Sequence, residues 1–201
     1  MIRLWHKTVG VAVIVVGAAV LILGTGCSRP SAAHFRSAAC AGDIEKVKSL
    51  LQLGAKVNAT DGLGYSALID VEACKGHTAP TRVQLVELLI AKGATVNLRS
   101  GDGSTALMFA ARNGDTLAVN ALLKNGAWVN IADKEGETAL MKAAANSCNE
   151  ETVRALLSAG ADLSARDHQE RNALDSFRSS YACPESKLGD LLQITGTGRG
   201  K

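Results

Sequence analysis

The chain has 201 residues, of which 47% are hydrophobic, 20% charged and only 3% aromatic, with a formal net charge of +3. Removal of an N-terminal leader carrying Arg3 and Lys7 would leave about +1, a balance that argues against a surface built for nucleic acid or for strongly acidic ligands. Abundant alanine and leucine with few aromatics suit short helices that pack closely through small residues.

At the N-terminus, Arg3 and Lys7 precede an uncharged run from Thr8 to Gly26, the layout of an export signal. The run ends in Leu23-Gly24-Thr25-Gly26-Cys27, which resembles the lipobox of bacterial lipoproteins, although leucine there more often stands one place closer to the cysteine. That resemblance implies a signal helix over 1–26, lipidation of Cys27, and a short linker over 27–32. The alternative is a signal anchor kept in the membrane, since a run of this length approaches a span. Either way the following domain lies across the inner membrane, because positive flanks stay inside. Ser28 after Cys27 is, in the enterobacterial lipoproteins this resembles, compatible with transfer to the outer membrane, so the expected location is the periplasm-facing cell envelope.

From residue 33 the chain repeats itself. Gly54-Ala55-Lys56-Val57-Asn58 returns as Gly93-Ala94-Thr95-Val96-Asn97 and Gly126-Ala127-Trp128-Val129-Asn130, then drifts to Gly160-Ala161-Asp162-Leu163-Ser164. A period of this length marks stacked supersecondary units, with boundaries near 33–60, 61–99, 100–132, 133–166 and 167–194. Within a unit, a turn glycine (Gly64, Gly103, Gly136) leads to Ser66, Thr105 or Thr138, placed to cap a first helix whose first buried contacts are Leu68, Leu107 and Leu140. Ala110-Ala111 and Ala143-Ala144 leave room for a neighbouring unit. A second helix follows, with apolar residues at helical spacing: Val47, Leu50 and Leu51; Val86, Leu89 and Ile90; Val119, Leu122 and Leu123; Val153, Leu156 and Leu157. The glycine of each Gly-Ala pair then caps it in left-handed conformation.

Together these positions resemble the ankyrin repeat, over roughly Ala33 to Leu192. The resemblance implies an all-α solenoid of about five helix-turn-helix units, the first and last acting as caps. Four departures stand out. The histidine of the usual Pro-Leu-His is replaced, as in Ala67-Leu68-Ile69 and Ala106-Leu107-Met108; about six extra residues lie around Lys75 to Arg82, expected as a loop; Asp70 and Lys142 occupy a usually apolar first-helix position; and Glu170 replaces a turn glycine. The tail from Thr195 to Lys201 offers nothing to bury and is expected to be disordered.

Beyond Cys27 there are four cysteines, and an even number in an oxidising compartment points to disulfides. Aligned repeats place Cys40 beside Cys74 and Cys148 beside Cys183, which favours that pairing over the crossed ones, with buried reduced thiols as the alternative.

Ankyrin proteins resembling this one bind partner proteins through the turn tips and the open side of the first helices. Carried onto this chain, the tip candidates are Leu63, Tyr65, Arg99, Asp102, Ser104, Lys134, Glu135, Glu137, Arg166, His168 and Arg171, with Arg112, Asn113 and Asn146 on the first helices. Trp128 is either an exposed aromatic contact or a cover for the next unit. The local motifs of catalysis and metal binding that were sought do not occur, and His34, His77 and His168 fall in different units, so neither an enzyme nor a cofactor is expected. Small exported ankyrin lipoproteins resemble immunity proteins of type VI lipase effectors; the other reading is an envelope scaffold or chaperone, as in protection from peroxide.

Overall fold

The computed structural model describes residues 11–16, 19–24, 30–76, 78–147, 149–180, 189–190 and 192. From residue 32 onward the named elements among the described residues are helices, stacked and joined by turns. Four helix pairs run α1 (Ala32–Cys40) with α2 (Ile44–Gln52), α3 (Ala67–Ala73) with α4 (Ala79–Ala91), α5 (Ala106–Asn113) with α6 (Thr116–Lys124), and α7 (Ala139–Asn146) with α8 (Glu150–Ser158), followed by α9 (Ala173–Arg178). The odd-numbered helices pack on one another in chain order, and so do the even-numbered ones, giving an inner and an outer layer.

Between the layers lies one continuous apolar core. Leu68, Leu107 and Leu140 are fully buried, as are Val47, Val86, Val119 and Val153 of the outer helices. Ala110, Ala111, Ala143 and Ala144 have no exposed surface, which is why α5 and α7 approach so closely. Ile69, Met108 and Met141, at the position of the missing histidine, are buried too, so packing stands in place of a histidine network there. Helix starts follow the capping expectation at Ser66 and Thr138, whose hydroxyls accept from the amides of Ile69 and Met141. Thr105 makes no such bond.

The Gly-Ala-x-Val-Asn phrase has a physical role that its recurrence alone did not reveal. Asn58 donates to the Gly93 carbonyl (2.9 Å) and accepts from the Thr95 amide (2.8 Å) of the next unit. Asn97 does the same to Gly126 and Trp128, and Asn130 to Gly160 and Asp162. This asparagine ladder satisfies backbone groups that the turn would leave orphaned. Ser164 ends it by bonding locally to Asp162.

Turn tips stack backbone to backbone. The Gly101 amide donates to the Leu63 carbonyl (2.6 Å), Lys134 to Asp102 (2.9 Å) and His168 to Glu135 (2.9 Å). Gly64 has φ +79°, and a Cβ there would stand 2.8 Å from the Gly101 nitrogen, so both conformation and space require glycine. Glu170 holds the equivalent left-handed turn at φ +60°. A side chain fits because no further tip stacks on it among the described residues.

Two expectations are corrected. Residues 11–24 form an antiparallel hairpin, β1 (Val11–Val16) with β2 (Ala19–Gly24), where a signal helix was expected. Valine and isoleucine dominate this stretch, and β-branched side chains favour extended backbone. No helix among the described residues is long and apolar enough to cross a membrane. The extra residues of the second unit form less loop than expected: α4 begins at Ala79, with Thr78 capping and Pro80 in its first turn, and it is longer than α2, α6 or α8.

Cys40 and Cys74 form a disulfide (Cα–Cα 5.4 Å) joining the ends of α1 and α3. Cys27, Cys148, Cys183, His77 and the tail 195–201 lie outside the described residues.

Candidate functional site

The turn tips and the open side of the inner helices meet in a depression of about 280 Å³. It is lined by Tyr65, Asp102 and Ser104 from two tips, Ala73 from α3, Met108, Phe109 and Arg112 from α5, and Lys142 from α7. Tyr65 and Phe109 are tilted at 53° with ring centroids 5.8 Å apart, and the Arg112 guanidinium lies 5.3 Å above the Phe109 ring. Arg112 has no carboxylate partner among the described residues. Burial, with Asp102 next, pushes the Tyr65 hydroxyl up, so it is a neutral donor at any ordinary pH.

Two other cations of the inner helices, Arg36 and Lys142, are neutralised internally. Arg36 bridges Asp61 (2.8 Å) and Asp70 (2.6 Å). Lys142 meets Asp133 (2.7 Å) and Glu137 (2.5 Å); burial works against its charge, yet these two hydrogen bonds outweigh that and raise its pKa. Asp70 and Lys142, polar at an apolar position of the repeat, are thus each half of a pair that ties one first helix to a turn or to its neighbour. Burial pushes the Asp70 carboxyl up even against Arg36.

The structure divides the candidate contact residues. Leu63, Lys134, Glu135 and His168 are exposed at the tips with no side-chain hydrogen bond or ion pair among the described residues. Others are held by the fold itself. Arg99 straps two tips by donating to the carbonyls of Gly103 (3.1 Å) and Ala132 (2.6 Å). Arg166 donates to the Glu170 carbonyl, and Arg171 binds Asp167 and Gln169. Asn113 donates to the Glu72 carbonyl and Asn146 to that of Lys142. Ser104, expected at an exposed tip, is buried, its hydroxyl donating to Asp102 (3.1 Å).

Asp102 compensates for a departure that the sequence displays without explaining. In the other tips Asp61, Asp133 and Asp167 each accept two backbone amides, those of Leu63 and Tyr65, of Glu135 and Glu137, and of Gln169 and Arg171. Ser100 stands at that place in the third unit. Asp102 takes over, accepting from the Ser104 amide and from the hydroxyls of Ser100 and Ser104. Those bonds outweigh its partial burial and lower its pKa. Trp128 leaves the outer layer after α6, away from the depression, with 69% of its surface exposed.

A buried polar cluster went unnoticed in the sequence. Glu72 of α3 has no exposed surface, and neither carboxyl oxygen has a hydrogen-bond partner. Its neighbour is Arg82 of α4 (3.9 Å), which forms its own ion pair with Asp115. Burial, opposed by Arg82, pushes the Glu72 carboxyl up to about 8, so at neutral pH it is largely protonated and Arg82 is left to Asp115. The signal available was positional: Glu72 stands where the next two units have Ala111 and Ala144.

Residues 73–167, just under half of the chain, match the family model for ankyrin repeats in three copies. Among curated proteins, one relative from Oryza sativa subsp. japonica, named probable E3 ubiquitin-protein ligase XBOS33, is 39% identical over 99 residues. The match covers 48% of this chain and 18% of that protein, so the chain spans less than a fifth of the relative's length. Ankyrin repeats make protein–protein interaction modules, and nothing in that partial likeness carries the ligase activity across. Residues 73–167 are ankyrin repeats, and the described residues from 32 onward stack as an ankyrin-type solenoid.

Proposed function

We propose that this protein is a non-catalytic binding module, exported and tethered to the cell envelope through lipidated Cys27, that holds a protein partner against the inner-helix face. The observation that carries the binding reading is the depression around Tyr65, Phe109 and Arg112, where an aromatic pair and a guanidinium without a carboxylate partner converge while neighbouring cations are already neutralised. Aromatic and guanidinium groups are the side chains in which interface energy concentrates. The Cys40–Cys74 disulfide supports an oxidising compartment.

The partner we propose is a secreted antibacterial phospholipase, neutralised in the periplasm when the inner face covers its active site. The test is capture from the envelope with the full chain and with a Tyr65→Ala/Arg112→Ala variant, followed by a phospholipase assay of whatever is bound. The reading expects a partner recovered by the wild type, lost by the variant, and inhibited by stoichiometric wild type. Equal recovery by both chains rejects the depression as the site. A partner with no phospholipase activity rejects neutralisation.

A further inference from the structure

The asparagine ladder aligns the four Gly-Ala-x loops side by side along one edge of the stack, where the outer helices end. The variable residues of those loops, Lys56, Thr95, Trp128 and Asp162, are all exposed and line up in register. Two more lysines reach the same edge, Lys92 just before Gly93 and Lys124 just before Asn125. None of the three lysines has a carboxylate partner among the described residues. Lys92 and Lys124 also offset the partial negative charge at the ends of α4 and α6, but Lys56 stands beyond a helix end and has no such role.

Two large apolar side chains share this edge, Trp128 at 69% and Leu53 at 59% exposed. An exposed indole and an isobutyl group amid lysines have the chemistry of the bilayer interface, where tryptophan sits at headgroup level and lysines are drawn to anionic lipid. The turn tips, by contrast, mix signs closely, with Lys134 beside Glu135 and Arg166 near Glu170. Among the described residues of the ladder edge the single carboxylate, Asp162, stands in the last loop and accepts from Ser164, so the charge along the other three loops is of one sign.

We propose that this edge, with Trp128 and Leu53 as apolar contacts and Lys56, Lys92 and Lys124 as the charge, docks on an anionic phospholipid surface. Docking turns the inner-helix face away from that contact and leaves it open. The proposal does not rest on the depression or its partner, since it uses none of those residues.

The test uses the full chain carrying Trp5→Phe, so that Trp128 is the only indole. It is reconstituted into vesicles of phosphatidylethanolamine with phosphatidylglycerol, or of phosphatidylcholine alone, each containing a lipid-borne quencher. Three lysines favour the docked orientation on the anionic surface by about a hundredfold. The expected result is blue-shifted, quenched Trp128 emission in the anionic vesicles only, lost in Lys56→Gln/Lys92→Gln/Lys124→Gln, with helix content by circular dichroism unchanged. A parallel Trp128→Phe/Leu53→Ser variant should place a fluorophore at Thr95→Cys in water in both vesicles. Solvent-exposed emission in both vesicle types, or equal quenching in both, overturns the proposal. So does a concentration-dependent blue shift in detergent without vesicles, which would assign the edge to a second copy of the chain.

Discussion

The junction between the second and third units and that between the third and fourth are built from corresponding positions, yet they are held differently. Between α5 and α7 the contact is Ala110-Ala111 against Ala143-Ala144, all without exposed surface. In α3 the same two places are Val71 and Glu72, and a carboxyl group is buried where the pattern has methyl groups. The longer α4 brings Arg82 over that carboxyl, and Arg82 in turn reaches Asp115, the N-cap of α6. Insertion and buried acid are thus two parts of one departure: the added helical turn sets Arg82 over the Glu72 carboxyl, which burial keeps largely protonated, and pairs it with Asp115. An ion pair of this kind is no guarantee of stability, but breaking one side of it is costly.

The sharpest way to break the comparison is Arg82→Ala. It strands Asp115 beside Glu72 and should cost about 3 kcal/mol or more in chemical denaturation; a cost near that of a surface substitution would mean the cluster does not hold the junction. Next comes the pH dependence. Glu72 has its pKa raised from 4.5 to about 8 on folding, so its contribution to stability is fully present below 4.5 and is lost as pH rises towards 8. The wild-type melting temperature should therefore decline across that window, and Glu72→Gln should flatten the decline. An unchanged pH profile in the variant would show that other groups produce it.

Tip stacking offers smaller tests. Gly64→Ala combines a left-handed backbone with a clash on the Gly101 nitrogen and should destabilise by about 1–2 kcal/mol. Glu170→Gly relieves the same backbone conformation where no further tip stacks among the described residues, and should stabilise by roughly 0.5–1 kcal/mol. Opposite signs in the two melting curves are the expected outcome, and matching signs would contradict the account of the tips.

Much of the solenoid could be read directly. The caps Ser66 and Thr138, the buried leucines and the Val-x-x-Leu spacing of the outer helices depend on neighbours within one helical turn, and such local terms are written in order along the chain. The candidate site was legible only in outline. Tyr65 and Arg112 could be placed on the inner face, but not the fact that Phe109 joins them while Ser104, Asn113 and Arg99 are engaged by the fold. The apolar run at 11–24 illustrates the opposite error: a resemblance suggested a helix, and β-branched composition favours a hairpin in the structure described here.

By itself the sequence determined the unit, its length, its two helices and the residues that face the core, because each repeat carries the same short-range pattern and stacking is the way such units bury it. Tertiary structure decided which polar side chains belong to the scaffold and which are free to meet something else. Asn58 with Gly93, Arg36 with Asp70, and Asn113 with Glu72 are partners about one unit apart, beyond the reach of any local pattern, and only stacking the units brings them together. Among the described residues, what remains uncommitted after that pairing includes the depression at Tyr65 and Arg112 on the inner face, the exposed tips at Leu63, Lys134, Glu135 and His168, and the lysine and tryptophan edge along the asparagine ladder.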